Sequence, residues 1–575
     1  MIKLFKHLKP YKKYIVGVLI LTFFNALSEL YLPNLMSDIV NNGIVKGDTN
    51  YILKIGGIML MVAAFSAISI VFASLLSSKT AMGFGKDLRQ KVFSHVEDFS
   101  LNEFDKIGTS SLITRTTNDI TQVQQVVVMM LRMMVRAPMM CIGGIIMAVS
   151  KNRSLSMIIV FVMPILVLAI SIVAKKGFPL FKLIQEKIDR VNQVLREELT
   201  GIRVIRAFDR VDHEKKRFNQ SNKDLTDTTI KVGRIMAILM PLMNIVLNFT
   251  TIAVVWYGSK QIDMGTMQVG DLMAFIQYVM QIMFSLIMVS MMFIMIPRAS
   301  ASAIRVNEVL ETVPEIKDKE KTKEANEKRG FIEFKDVTFS YPGAEKPALS
   351  NISFSAGPGE TTAIIGGTGS GKTSLISLIP RFYDIDSGNI LVNGIDIREI
   401  SQKTLREKVG FVPQKAVLFT GTIAENIRYG KEDATDEEVK HAAEVAQATG
   451  FISSMKDGFD SYIAQGGTNV SGGQKQRLSI ARALVRKPEI YIFDDSFSAL
   501  DFKTDAKLRE ALKDETINST VIIVAQRVST VMDADRIIVL DEGRIVGIGR
   551  HKDLLNTCEV YSEIVSSQLS EEEIA

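Results

Sequence analysis

Cysteine is nearly absent from this chain: its 575 residues include two, Cys141 and Cys558. They stand in very different contexts, so no disulfide framework is expected. A strong charge of one sign is missing as well. Lysine and arginine number 68 against 63 aspartates and glutamates, a net charge of +5. That balance gives no argument for nucleic acid as a partner. No cleavable secretory leader is legible either. The first apolar run is too long, lacks a small-residue cleavage site and is followed by five more. Hydrophobic residues nevertheless make up 47% alongside 23% charged ones. This is the mixture of apolar segments joined to an ordinary globular part, and the length calls for several domains.

Six stretches, at about 14–35, 52–76, 126–149, 155–174, 235–257 and 272–296, reach the ~20 apolar residues that cross ~30 Å of hydrocarbon. Lysine and arginine placement gives their orientation. Lys3, Lys6, Lys9, Lys12 and Lys13 precede the first span. The long segments after spans two and four are also basic, the second including Lys215, Lys216 and Arg217. The opposite loops carry only Lys46, then Lys151 and Arg153, then Lys260. Both termini are therefore expected in the cytoplasm. Residues 1–14 read either as an interfacial helix or as a solvated leader. The two long segments, about 50 to 60 residues each, exceed ordinary loops. Within 184–218, Ile188, Val191, Val194, Leu195, Leu199, Ile202 and Ile205 recur at helical spacing. That predicts membrane helices continuing into the cytoplasm.

Past a charged linker at 317–329, strands and helices alternate with glycine turns, as in an α/β phosphate-loop domain. Gly366, Gly367, Thr368, Gly369, Ser370, Gly371, Lys372 and Thr373 fit G-x-x-x-x-G-K-[ST] without mismatch. The apolar strand 362–365 enters this loop and a helix beginning at Ser374 leaves it. Glycines let the backbone turn its amides toward phosphate oxygens, the lysine reaches the β/γ-phosphates, and the threonine hydroxyl ligates Mg²⁺. The strand 490–493 ends in Asp494, a carboxylate suited to holding Mg²⁺ opposite Thr373. A second glycine turn, Val470-Ser471-Gly472-Gly473-Gln474, opens another helix, again a phosphate-ready N-terminus. One nucleotide cannot use both turns of one domain, so a two-fold sandwich of domains is expected.

Taken together these motifs resemble an ATP-binding cassette exporter half-transporter over nearly the whole length. The stretch 470–474 resembles the signature motif L-S-G-G-Q, with Val470 for leucine. Gln414 matches the glutamine that touches Mg²⁺, and Tyr341 the aromatic that stacks on adenine. The run Ser498-Ala499-Leu500-Asp501 resembles the loop that crosses to the partner domain. Phe104, Asp105, Gly108, Arg115 and Asp119, then Gly201, Val204, Ile205, Ala207 and Phe208, resemble the cytoplasmic loops that end in coupling helices. The resemblance implies a transmembrane domain at 1–310, all-α with six helices, and a linker at 311–330. An α/β nucleotide-binding domain at 331–568 and an acidic tail at 569–575 would follow. ATP and Mg²⁺ are the implied cofactors, with Ser374 completing the ATP contacts and Thr373, Gln414 and Asp494 serving the metal.

Two departures bear on mechanism. The family places Glu after the strand carboxylate as general base, where this chain has Asp495; it places His near the γ-phosphate, where this chain has Gln526. Aspartate is one methylene shorter, and glutamine cannot share a proton as imidazole can. Gln465 also replaces a frequent Glu before the signature turn. With every ATP-binding position intact, the pattern resembles the degenerate-site subunit of heterodimeric bacterial multidrug exporters. The expected partner is a second half-transporter with the consensus Glu and His.

For cargo, the third and sixth spans are rich in methionine, a side chain that suits varied apolar shapes: Met129, Met130, Met133, Met134, Met139 and Met140, then Met273, Met280, Met283, Met288, Met291, Met292 and Met295. Gln277, Gln281 and Ser285 form a polar stripe at i, i+4 and i+8. Glu29 is the candidate contact for a cationic substrate, while Arg132 and Arg136 read as snorkelling side chains. The expected cargo is amphipathic, hydrophobic or cationic small molecules. An exporter of a defined lipid or peptide, a homodimeric multidrug exporter, and a membrane-bound ATP sensor are the alternatives. No accessory domain precedes the first span in this reading.

Overall fold

The computed structural model describes residues 2–323 and 329–569. Positions 324–328 of the linker and 570–575 of the tail lie outside the described residues, as do the side chains of Met291, Met292 and Met295. The chain divides into two compact units, described separately below. One comprises Met1–Glu97 with Gly108–Val313, the other Asp98–Ile107 with Pro314–Ala575.

The first unit is helical: α1 Lys12–Asp38, α2 Thr49–Glu97, α3 Thr109–Lys151, α4 Arg153–Ala207, α5 Val211–Asp263 and α6 Val269–Glu311. Six helices among the described residues are long and apolar enough to cross a membrane. At 1.5 Å per residue the 49 residues of α2 extend about 74 Å, over twice a ~30 Å hydrocarbon layer. The surplus is the cytoplasmic extension that the helical spacing indicates. That spacing does not run unbroken through 184–218, however. The chain reverses at Phe208, Asp209 and Arg210, with Asp209 at φ +52°. Aspartate is among the few side chains that tolerate this left-handed region.

The N-terminal segment is neither a free leader nor merely a surface helix. A short helix Ile2–Phe5 packs on α6, and the 3₁₀ turn Lys6–Tyr11 that follows packs on α2. Leu4 is fully buried, and the Tyr11 hydroxyl donates to Asp87 Oδ2 at 2.9 Å. Helix α3 carries two π-turns, Arg115–Asp119 and Met130–Met134. The second ends four residues before Pro138, whose missing N–H and ring clash disturb the ladder there. At the cytoplasmic end, Asp119 joins α3 to α6. It is 1% exposed and accepts hydrogen bonds from Ser302 Oγ (2.8 Å) and from Arg305 Nε (2.7 Å) and Nη2 (2.5 Å).

In the second unit, an antiparallel sheet of order β2-β1-β4-β5 comprises β1 Ile332–Phe339, β2 Leu349–Ala356, β4 Ser387–Val392 and β5 Ile395–Asp396. The main sheet has the order β12-β11-β3-β10-β9-β6. Its members are β3 Thr361–Gly366, β6 Val409–Val412, β9 Ile490–Asp494, β10 Thr520–Val524, β11 Arg536–Asp541 and β12 Arg544–Gly549. β7 Gly421–Thr422 pairs with β8 Tyr462–Ile463. All pairings in the main sheet are parallel except β11 with β12. Both faces are buried, so successive residues of one strand serve two cores. Ala363 and Ile365 of β3 pack with Tyr491, Phe493 and Ile523; Ile364 packs with Ile490, Ile492 and Ile522. The short helix Leu101–Ile107 belongs to this unit. Glu103 Oε1 accepts from the Glu315 backbone N–H at 3.1 Å, and Asn102 Nδ2 donates to the Glu315 carboxylate at 2.6 Å.

Candidate functional site

Sheet order places the C-terminal ends of β3, β10, β9 and β6 side by side. Each leads into a sequence motif. β3 enters the glycine loop, β9 ends at Asp494 with Asp495 next, β10 precedes Gln526, and β6 precedes Gln414. The carboxyl edge of a parallel sheet is where such folds bind ligands.

The loop needs glycine for steric reasons. A Cβ on Gly366 would lie 2.1 Å from the Leu540 carbonyl oxygen; on Gly371, at φ +97°, it would lie 2.8 Å from Leu349 Cδ2. Gly366→Ala is therefore expected to push β3 from β11 and to cost about 1–3 kcal/mol. It should also abolish the rise in melting temperature expected of the wild-type chain when ATP is added. A variant that melts and responds to ATP as wild type does would contradict this steric account.

Helix α7 Lys372–Leu378 leaves the loop. Lys372 Nζ bends back to donate to the carbonyls of Gly366 (2.9 Å) and Gly367 (2.6 Å). Burial lowers its pKa, opposed by Asp495 and Asp494. Thr373 Oγ1 donates to Asp494 Oδ1 at 3.2 Å. Burial raises the Asp494 carboxyl, opposed by that hydrogen bond. A buried lysine and a buried carboxylate, beside a loop in which Gly366 and Gly371 leave no room for a Cβ, fit a nucleoside triphosphate with Mg²⁺. The loop amides of Thr368, Gly369 and Ser370 and the hydroxyl of Ser374 stand at the same edge. Tyr341 is 38% exposed, with its phenol oxygen 2.9 Å from Ser374 Oγ. Phe339 and Tyr383 hold its ring edge-on.

Asp495 sits at φ +45° with its N–H bonded to the Val524 carbonyl at 2.9 Å. Gln414 Nε2 donates to its Oδ2 at 3.2 Å. Gln526 is exposed, and its backbone carbonyl accepts from Gln568 Nε2 at 2.8 Å. Helix α8 Gly472–Leu484 is capped by Ser471, whose Oγ accepts from the Gln474 N–H at 3.3 Å while Gln474 Oε1 accepts from the Ser471 N–H at 2.8 Å. Ser471 and Gly472 are exposed and Gly473 half-buried; a Cβ on Gly473 would lie 3.2 Å from the Ala499 carbonyl.

The membrane residues come out differently from the sequence expectation. Glu29 is not a free anion: Arg136 Nη2 donates to both its oxygens at 2.7 Å, so Arg136 pairs rather than snorkels. The Gln277–Gln281–Ser285 stripe does not act as one face. Gln277 is exposed, and Gln281 Nε2 donates to the Glu29 carbonyl at 3.2 Å. Ser285 is 3% exposed and gives its hydroxyl to the Ile282 carbonyl at 2.7 Å. Helix packing accounts for the last two, and Met288 is half-buried. A lock that sequence reasoning missed joins three helices, where Asp271 Oδ1 accepts from Ser37 Oγ and Lys151 Nζ, each at 2.8 Å.

Comparison with known proteins agrees with this architecture. Residues 15–286 match the family described as ABC transporter transmembrane region, and residues 349–498 match ABC transporter. An uncharacterised ABC transporter ATP-binding protein of Mycobacterium tuberculosis is 42% identical, over 98% of this chain and 97% of its own. An ATP-dependent lipid A-core flippase of Desulfotalea psychrophila is 33% identical over 89% of each chain. The solved structure of a bacterial Atm1-family ABC exporter with ATP bound superposes with a TM-score of 0.81 at 25% identity, covering 97% of this chain and 99% of that one. The six helices make this a multi-pass protein of the bacterial plasma membrane with its ATPase domain in the cytoplasm. The chain belongs to the ABC transporter family, as an exporter half-transporter whose ATPase domain is coupled to translocation.

Proposed function

We propose that this chain is one half of a heterodimeric exporter of amphipathic, drug-like small molecules. In this reading it holds a slow ATP site and lends Ser471, Gly472, Gly473 and Gln474 to a competent site whose Walker residues the partner supplies. The observation that carries the reading is a divided site. Lys372, Thr373, Asp494 and Gln414 match the family's ATP-site pattern, while Asp495 and Gln526 stand where that pattern has the Glu and His that handle the attacking water and the γ-phosphate. The Gln414 contact draws the short Asp495 carboxylate toward the metal-side glutamine and away from the base's task. The Gln526 amide donates a hydrogen bond but takes up no proton. Mg²⁺ held by Thr373, Asp494 and Gln414 would neutralise charge on the β/γ-phosphate oxygens. Closure of two such nucleotide domains turns the transport cavity outward, and turnover at the partner's site reopens it.

A preference for cations has lost its support, because Glu29 is neutralised by Arg136. Export of a defined lipid is a second reading, favoured by the 33% identity with a lipid A-core flippase. The test of the main reading is ATP turnover by the purified chain alone, expected close to the detection limit. Brisk turnover, abolished by Lys372→Ala, would overturn the heterodimer in favour of a homodimer with an unusual base.

A further inference from the structure

The segment that carries Gln526 is tied to three distant stretches of the chain. Gln526 and Arg527 join β10 to the short helix Val528–Val531. Gln568 spans this joint with one side-chain amide. Its Oε1 accepts from the Val528 N–H at 2.9 Å, and its Nε2 donates to the Gln526 backbone carbonyl at 2.8 Å. The first amide of a helix has no acceptor inside that helix, so the carboxamide caps it and holds the carbonyl two residues earlier. Arg509 Nη1 donates to the Ser529 carbonyl at 3.0 Å, and Arg527 Nη2 reaches the Ser498 carbonyl at 3.3 Å. What precedes Gln568 fixes its place. In the helix Glu559–Ser566, Tyr561 and Val565 are fully buried, in the same core as Val528 and Val531. The Gln568 and Leu569 amides both donate to the Val565 carbonyl, at 3.0 and 2.9 Å, and Leu569 packs on that core. Gln568 itself is exposed, so packing does not call for an amide at this position; the paired hydrogen bonds do.

We propose that Gln568 is a positioning residue for the γ-phosphate end of the ATP site, acting through Gln526. This role rests on the reading of Gln526 as the group near the γ-phosphate, and it lies beyond every ATP motif of the sequence. The clasp fixes the Gln526 carbonyl and the amide two residues on, and with them the direction in which the Gln526 side chain leaves the backbone. A hydrogen bond to phosphate weakens steeply once that direction is lost. The contacts expected of ADP, to the glycine loop, Lys372, Thr373 and Tyr341, are supported by other bonds. Loss of the clasp therefore acts on ATP and spares ADP.

The experiment is binding of ATPγS and of ADP, each with Mg²⁺, to the full chain in phosphatidylcholine nanodiscs. Gln526→Ala should weaken ATPγS about tenfold, as loss of a hydrogen bond to a charged group implies, and leave ADP unchanged. Gln568→Leu should weaken ATPγS about fivefold and also spare ADP. The double change should lose no more than Gln526→Ala alone, because Gln568 acts only through the side chain already removed. If Gln568→Leu does not fold, Gln568→Ser carries the same comparison. Equal loss of ATPγS and ADP would overturn the proposal, since a merely structural contact lowers both. Wild-type ATPγS affinity in a folded Gln568→Leu would overturn it too, as would a double change in which the two losses add. Wild-type ATPγS affinity in Gln526→Ala would remove the clasp together with the role given to Gln526. An ATPγS-selective loss in Gln568→Leu alongside brisk turnover by the wild-type chain would leave the clasp standing and sink the slow-site reading. Near-absent turnover with no effect of Gln568→Leu would do the reverse.

Discussion

Asp495→Glu combined with Gln526→His is expected to raise ATP turnover of the purified chain by about 10²-fold or more, within the range general-base catalysis supplies. The positions are prepared for the change. β9 and β10 are parallel neighbours, with Asp494 opposite Val524, so residues 495 and 526 emerge at the same edge as the glycine loop. Glutamate adds the methylene that carries a carboxylate past Gln414, which now holds Asp495 Oδ2 at 3.2 Å. Histidine restores a proton-sharing group at an exposed position with room for its ring. The two single changes should each fall well short of the pair, because groups acting on one step are strongly non-additive. Steady-state turnover of the four proteins, with Lys372→Ala as background, decides it. No gain from the double change would place the block elsewhere in the domain.

Arg305→Met is expected to cost about 3 kcal/mol of stability in the membrane unit, read as a lowered melting temperature of the solubilised chain. Asp119 is 1% exposed, and without Arg305 its carboxylate keeps only Ser302 as a side-chain donor. An unpaired buried charge is the expensive product. Asp119→Asn should cost less, since Arg305 is 45% exposed and water can serve its guanidinium. The double change Asp119→Leu with Arg305→Met should recover part of the loss, because nothing charged is then buried. The order Arg305→Met worst, Asp119→Asn milder, is what a buried carboxylate demands. The opposite order would mean that the aspartate is solvated in solution.

How far the sequence could be read depended on the range of each interaction. The loop 366–373, the strand ending at Asp494 and the cap at Ser471 are legible because each is a contiguous run of the sequence, even where distant strands complete it. Helical spacing identified the apolar face of α4 but not its end. Between Ile205 and Val211 no glycine or proline interrupts the pattern, and the reversal rests on one aspartate at φ +52°. Long-range pairs left no signal. Arg136 and Glu29 are 107 residues apart and Arg305 and Asp119 are 186 apart; periodicity tells which face a residue occupies, not which helix meets it. For this reason Glu29 read as free and Arg136 as snorkelling.

The second unit is not contiguous along the chain. Ten residues inserted between α2 and α3, Asp98–Ile107, are held to it through Glu103, Asn102 and Glu315. Exchange of ATPase domains between related exporters at a single junction near residue 313 would therefore transplant an incomplete body. The graft would lack its own carboxylate clamp and would inherit one shaped for another linker. Recombination that respects this architecture takes two segments at once, and natural variation at Asn102 and Glu315, whose side chains bond each other, should move together for the same reason.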